Sequence, residues 1–296
     1  MAKPRALLCL LGTLALLGAT SLLVACGEDE SPSAGAGEDG AAHEQGPALE
    51  HIHGLGINPG DGRLFIATHN GLFAAARDQT RPEQVGETEQ DIMGFSVVGA
   101  DHFIGSGHPG PGQDLPGNLG LIESRDGGET WKNVSLLGDA DFHVLEDSDD
   151  RIYGFDGTQG RLMVSGNGGR DWAERKPPAG VFGLAVDPKD SSRVVASTEG
   201  GIFISPDEGR RWRPLRDDLG GLLAWPARSR LYLVDGQGQV LLSSDAGANW
   251  QTQGSIGGQP AAFIGHKDDL YAALTDGTVK RSTDGGANWT VRTTAS

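Results

Sequence analysis

Cysteine is nearly absent from this 296-residue chain: Cys9 and Cys26 are the only two, and residues 27–296 have none. That stretch can hold no disulfide, no thiol nucleophile and no cysteine-ligated metal. Basic residues are also scarce, with 24 Lys plus Arg against 40 Asp plus Glu and a formal charge of -16. An acidic balance of this size repels phosphate backbones, which excludes nucleic acid as a natural partner. Aromatics make up only 6% of residues while glycine reaches 47, a composition that argues against long helices.

The first long apolar run is also the last. Lys3 and Arg5 give a short basic start, and Ala6 to Val24 is apolar and broken by small residues, which reads as a secretory signal and not as part of the fold. The run closes in Leu23-Val24-Ala25-Cys26, which resembles the bacterial lipobox. That resemblance implies a signal peptide over 1–25, lipidation of Cys26, and a mature protein held on the outer side of the cytoplasmic or outer membrane of a bacterial cell envelope. Residues 27–50 carry seven acidic residues and no Lys or Arg, among Gly, Ala, Ser and Pro. Such a segment buries too little apolar surface to offset its ordering entropy, so 26–50 is expected to be a flexible acidic tether.

From residue 51 to 296 the dominant signal is a repeat. Five segments align without gaps: Ser124-Arg-Asp-Gly-Gly-Glu-Thr-Trp131, Ser165-Gly-Asn-Gly-Gly-Arg-Asp-Trp172, Ser205-Pro-Asp-Glu-Gly-Arg-Arg-Trp212, Ser243-Ser-Asp-Ala-Gly-Ala-Asn-Trp250 and Ser282-Thr-Asp-Gly-Gly-Ala-Asn-Trp289. Their serines are 41, 40, 38 and 39 residues apart, a period that belongs to arrays of stacked units. A tight turn leaves N–H groups unpaired, and Asp126, Asn167, Asp207, Asp245 and Asp284 are short acceptors able to satisfy them. Glycine at 128, 169, 209, 247 and 286 suits the positive φ of such a turn, and Trp131, Trp172, Trp212, Trp250 and Trp289 each offer a large ring to bury between sheets. These residues are read as structural.

The five segments resemble the Asp-box (BNR) motif of sialidase-like and sortilin-like propellers. Around each lies one pattern of four β-rich strands, A to D, best seen from Val181 onward, which gives repeats at about 51–86, 91–138, 141–179, 180–219, 220–257 and 258–296. The expected fold is therefore all-β, a six-bladed β-propeller. The first repeat lacks the box and ends its third strand in Ala75-Ala76-Arg77-Asp78; its fourth strand is expected near Gln84 to Gly86. The resemblance also implies that the box turns lie on the face opposite the active site.

Binding residues are then expected at the starts of A strands and the ends of B strands. The B-strand ends supply His69, His108, Asp156 and Glu199, with Asp235 and Asp276 further on; the A-strand starts supply His51, His53, Met93 and His143. Asp before Gly is a common turn choice, so Asp156, Asp235 and Asp276 are weighed first as turn formers. His51 and His53, two apart on a strand, are expected to point the same way. His43 falls in the tether, and His102 and His266 in turns of the other face. Five imidazoles with one thioether and nearby carboxylates suit copper or zinc, so His51, His53, His69, His108 and His143 are the candidate metal ligands. The long B–C connection from Gly105 to Gly120 is expected to fold over the axis as a lid.

Sialidases resemble this pattern, but their chemistry needs three clamping arginines and a Tyr nucleophile. Here Arg63 falls in an A–B turn on the wrong face, Arg161 stands alone, and Tyr153, Tyr232 and Tyr271 sit inside B strands. Asp141, Asp156 and Glu199 leave a two-carboxylate glycoside hydrolase as the alternative. The strings HIHGL, ATHNGLF, MGF, SGHP and DFH resemble a secreted bacterial family of propellers that carries the label glycosylhydrolase or exo-alpha-sialidase-like, a fold-level analogy. Wider similarity to sortilin-type receptors and photosystem II assembly factors implies a second alternative, a protein-binding propeller. The reading that the residues favour is a lipid-anchored propeller binding a small-molecule, glycan or protein ligand, or a transition metal, at a His-rich upper rim.

Overall fold

Each repeat becomes one antiparallel sheet of four strands in chain order, because short β-rich segments joined by tight turns can only pair with their neighbours. The computed structural model describes residues 49, 51–87 and 89–295. Its six sheets span 52–85, 91–135, 142–175, 181–216, 222–255 and 260–293, and every regular element among the described residues is a strand. These are the blades of a six-bladed β-propeller. The last strand of blade 1 is Glu83–Val85, one residue from its expected place. The signal peptide, Cys26 and all of the tether except Leu49 lie outside the described residues.

The A strands line the axis: Ile52–Ile57, Asp91–Gly99, Phe142–Ser148, Val181–Asp187, Leu222–Ala227 and Pro260–His266. Each touches the next, and the sixth touches the first, so the wheel is closed. Between consecutive blades lie apolar clusters such as Phe65, Leu72, Ile92, Phe95 and Phe103 at the first boundary.

The five Ser-to-Trp turns share one bonding scheme. Each serine hydroxyl is buried, accepts the N–H of the glycine four residues on at 2.8–2.9 Å, and donates to the Asp or Asn two residues on at 2.8–3.0 Å. That Asp or Asn then accepts the N–H of Thr130, Asp171, Arg211, Asn249 or Asn288. The glycine does more than supply a positive φ. A Cβ at Gly128 or Gly169 would fall 2.3 or 2.0 Å from Leu72 or Leu121 of the preceding blade. Trp131, Trp172, Trp212, Trp250 and Trp289 pack in the same five gaps.

The sixth gap, where blade 6 meets the boxless blade 1, closes differently. Leu49, Ile57, Phe73, Tyr271 and Val279 form its core. On the C–D turn of blade 1, Arg292 of the last strand donates to the carbonyls of Ala75, Ala76 and Gln79. Charge-assisted bonds of this kind contribute about 1.5–3 kcal/mol. Arg292→Ala should therefore lower Tm by roughly 4–10 °C in a thermal melt, whereas exposed Arg213→Ala should shift it by less than about 2 °C.

Candidate functional site

The upper mouth of the axis is shaped by an irregularity repeated at the top of the A strands. Ile52 pairs with Thr68 and Gly54 with Ala67, leaving His53 as an extra residue. The same shift occurs at Met93, His143, Phe182 and Ala261. A bulge of this kind re-aims a side chain next to a site. His53, Met93, His143, Phe182, Ala261 and, in blade 5, Leu222 all line the mouth of the channel. The ring is thus donor-bearing over blades 1–3 and apolar over blades 4–6.

One register position before each bulged strand lie His51, Asp91, Asp141 and Gly180, and across from them stand His69, His108, Gly157 and Glu199. Asp91 of blade 2 receives both imidazoles of blade 1, His69 Nδ1 at 2.9 Å from Oδ2 and His53 Nε2 at 3.4 Å from Oδ1. The three residues offer ligand atoms within 4.8 Å of one another. His53 Nε2 and Asp91 Oδ1 are both buried and have no hydrogen-bond partner. Asp141 of blade 3 is reached by His143 Nε2 at 2.8 Å and by His108 Nε2 of blade 2 at 3.5 Å, both on Oδ2.

The two channel-facing imidazoles are tuned in opposite directions. Burial, reinforced by the positive fields of His69, His51 and His143, lowers His53 below its ordinary value against the pull of Asp91. Its hydrogen bond to Asp141 raises His143, with the charges of Asp141, Asp156 and Asp91 adding to the effect. His53 is thereby kept neutral near pH 7, the state in which imidazole is a ligand.

The upper rim gathers His51, His53, His69, Met93, His108 and His143 as expected, and His102 and His266 lie at the other end of their blades. Several details differ. His51 precedes the strand with a φ of 49°, is exposed, and stacks edge-on to His69 at 6.1 Å, so strand alternation does not align it with the bulged His53. Asp156 sits below the rim, fully buried. Its carboxylate accepts the N–H groups of Thr158 and Gln159 and pairs with Arg161 at 3.0 Å, a turn anchor and not a rim ligand. Glu199 is exposed on blade 4 and joins neither His–Asp group. The loop after His108 is no lid. Gly138 donates to Asn118, Asn133 to Leu119, and Gly138 packs near Pro116, so the loop is bound to the link between blades 2 and 3 and lines no part of the mouth. Asp91 was not among the expected site residues. Its signal was the parallel between His51-Ile-His53, Asp91-Ile-Met93 and Asp141-Phe-His143.

A scan against protein-family models gives no match, and neither does a search of curated proteins. Solved structures do match. YCF48 bound to D1 peptide aligns with a TM-score of 0.52 and 16% identity over 83% of both chains. The GH74 xyloglucanase from Xanthomonas campestris aligns at 0.55 and 17% identity, over 82% of this chain but 45% of its own. A chain of the nidogen/laminin complex aligns at 0.56 and 15% identity, over 74% of this chain and 88% of its own. The chain is a β-propeller. At these identities the likeness carries the fold alone, and it spans proteins that bind peptides or partners as well as a glycoside hydrolase.

Below the mouth the axis widens into a cavity of about 390 Å³, walled by Leu55, Phe95, Leu184 and Trp225 and carrying Glu146 and Asp147. Burial, and then the neighbouring charge of Asp147, push the Glu146 carboxyl up to about 8. A folded-state value above the unfolded one means that the native protein holds a proton the unfolded chain has released. Stability from this group therefore falls as pH rises from the unfolded carboxylate range to about 8, and is level beyond it. Glu146→Gln should raise Tm by at least ~3 °C at pH 8.5 and leave it within ~1 °C of wild type at pH 4.5, read from paired thermal melts.

Proposed function

We propose that this chain is a lipid-anchored, extracytoplasmic propeller whose upper rim binds a divalent transition metal, zinc or copper(II), through His53, His69 and Asp91. The observation that carries the reading is the pair of unpartnered buried atoms, His53 Nε2 and Asp91 Oδ1, facing each other at 3.4 Å. Two ligands bonded at about 2.0–2.1 Å to one tetrahedral ion stand roughly 3.3 Å apart, so the spacing fits a shared metal better than a hydrogen bond. Two imidazoles and a carboxylate form a donor set suited to zinc and copper, and His69 is held by the carboxylate as ligating histidines commonly are.

Anchorage on Cys26 is carried by the Leu23-Val24-Ala25-Cys26 sequence behind the apolar run of 6–24. Leu49 is buried between blades 6 and 1 beside Gly277, in a B–C turn on the face that carries the rim. The same face exposes Phe182, Leu115 and Leu137, which favours a peptide or protein as a second ligand of the rim.

Protein stripped of metal and given zinc(II) at about a hundred times the dissociation constant should gain roughly 2.7 kcal/mol, a rise in Tm of about 5–10 °C. His69→Ala combined with Asp91→Asn should abolish the rise. An undiminished rise in that double variant would move the site elsewhere.

A further inference from the structure

The cavity on the axis below the mouth has a chemistry that the rim does not use. In the strand Phe142–Ser148, Leu145 packs toward blade 2 with Ile104 and Leu121, and Val144 toward blade 4 with Leu184 and Val186. Alternation puts Glu146 on the side of Val144, where its neighbours in the gap are apolar. The residues three beyond the bulge in blades 1, 2, 4 and 6 are Gly56, Ser96, Ala185 and Ile264. Glu146 holds that position in blade 3 and, of the five, it alone can ionise.

Among the described residues the Glu146 carboxyl has no hydrogen bond and no cation beside it; the one charge acting on it is the like charge of Asp147. It lines both the mouth and the cavity, together with Leu55, Phe95, Leu184 and Phe263, so the two spaces are continuous past it. Neither space is lined by a Lys or Arg among the described residues. The imidazoles do not make good that lack. Burial lowers His266 at the lower end and His53 at the mouth, and His143, raised by its bond to Asp141, has its charge met by that carboxylate. Burial raises Asp147 to about 6, with His102 opposing and Asp149 adding, so Asp147 is mostly ionised at pH 7 and the channel carries a negative field.

We infer that the axial cavity binds an organic ammonium ion, a charged amine on an apolar body, with its nitrogen seated at Glu146 and its body against Phe95, Leu184, Trp225 and Phe263. A volume of about 390 Å³ with apolar walls and few polar groups is the form of a small-molecule site. The aromatic walls attract a cation, and a carboxylate is the strongest acceptor for its N–H groups. An anion would meet two acids and no base. Binding is an exchange: as the ammonium enters, Glu146 releases its proton to solvent and the carboxylate so formed pairs with the ligand. The site uses none of His53, His69 and Asp91 and stands apart from the metal reading.

The full chain is titrated by calorimetry at pH 7 with 4-phenylbutylamine, the neutral 4-phenylbutanol and the anionic 4-phenylbutyrate, each in phosphate and in Tris. The amine should bind at least tenfold more tightly than the alcohol and release about one proton, read from the difference in heat between the buffers; the butyrate should not bind. Affinity for the amine should rise at least tenfold from pH 6 to pH 8. Glu146→Gln, its fold verified by circular dichroism and Tm, should weaken the amine at least tenfold, abolish the proton release and leave the alcohol within threefold. His69→Ala combined with Asp91→Asn should leave the amine within twofold, which separates this site from the rim. The proposal is overturned if the amine is not taken up at millimolar concentration, if the alcohol or the butyrate binds as tightly, or if Glu146→Gln changes amine affinity by less than twofold.

Discussion

The wheel depends on one contact repeated around it: a turn glycine without a side chain admits an aliphatic residue of the preceding blade. Leu72 against Gly128, Leu121 against Gly169, Leu162 against Gly209 and Val240 against Gly286 are instances, each at a separation that a Cβ would violate. The serine that accepts the glycine N–H fixes the turn, and the tryptophan fills the gap beside it. Sheets with two apolar faces must bury both, and a closed ring is a way to do so without leaving exposed edges in the core. Blade 1 has no such turn, so closure falls to the cluster around Leu49, Phe73 and Tyr271 and to Arg292 on its open carbonyls.

A ring held this tightly by its periphery leaves the inner ends of its A strands free to deviate from regular pairing. At five of them one residue is extruded, and the side chain that alternation would direct toward a neighbouring sheet is directed at the axis. The rim chemistry follows from that deviation. As bulged residues, His53 and Met93 line the mouth of the channel.

This division also explains what could be read in advance. The blades, their boundaries and the turn chemistry were legible because they are local: a five-fold repeat of Ser, Asp, Gly and Trp at near-constant spacing needs no tertiary information. The gathering of histidines on one face followed from strand direction alone. Asp91 was missed because its partners, His53 and His69, belong to the previous blade, about 40 and 20 residues earlier, and no pattern within a strand reports an inter-blade contact. The orientations of His51 and His53 were misjudged because a period of two fails at a bulge. The role of Asp156 was legible as a turn anchor from Asp-Gly, and its fully buried bond to Arg161 shows why it cannot also serve the rim.

The sharing of acids between blades constrains the electrostatics of the whole mouth. Each of Asp91 and Asp141 faces two imidazoles and keeps one oxygen unpartnered, so adding a proton to both histidines at either boundary would crowd cations around a single carboxylate. His53 resolves this by burial, staying neutral, while His143 is raised by its direct bond to Asp141. Across the axis the equivalent positions are Phe182, Leu222 and Ala261, which supply neither charge nor donor. A ligand centred on the axis would meet an apolar half-ring, whereas one seated at a boundary between blades meets donors from both sides. The division of the ring therefore places its charged and hydrogen-bonding groups off the axis, at the two boundaries where a carboxylate stands between imidazoles, and leaves the far side of the mouth apolar.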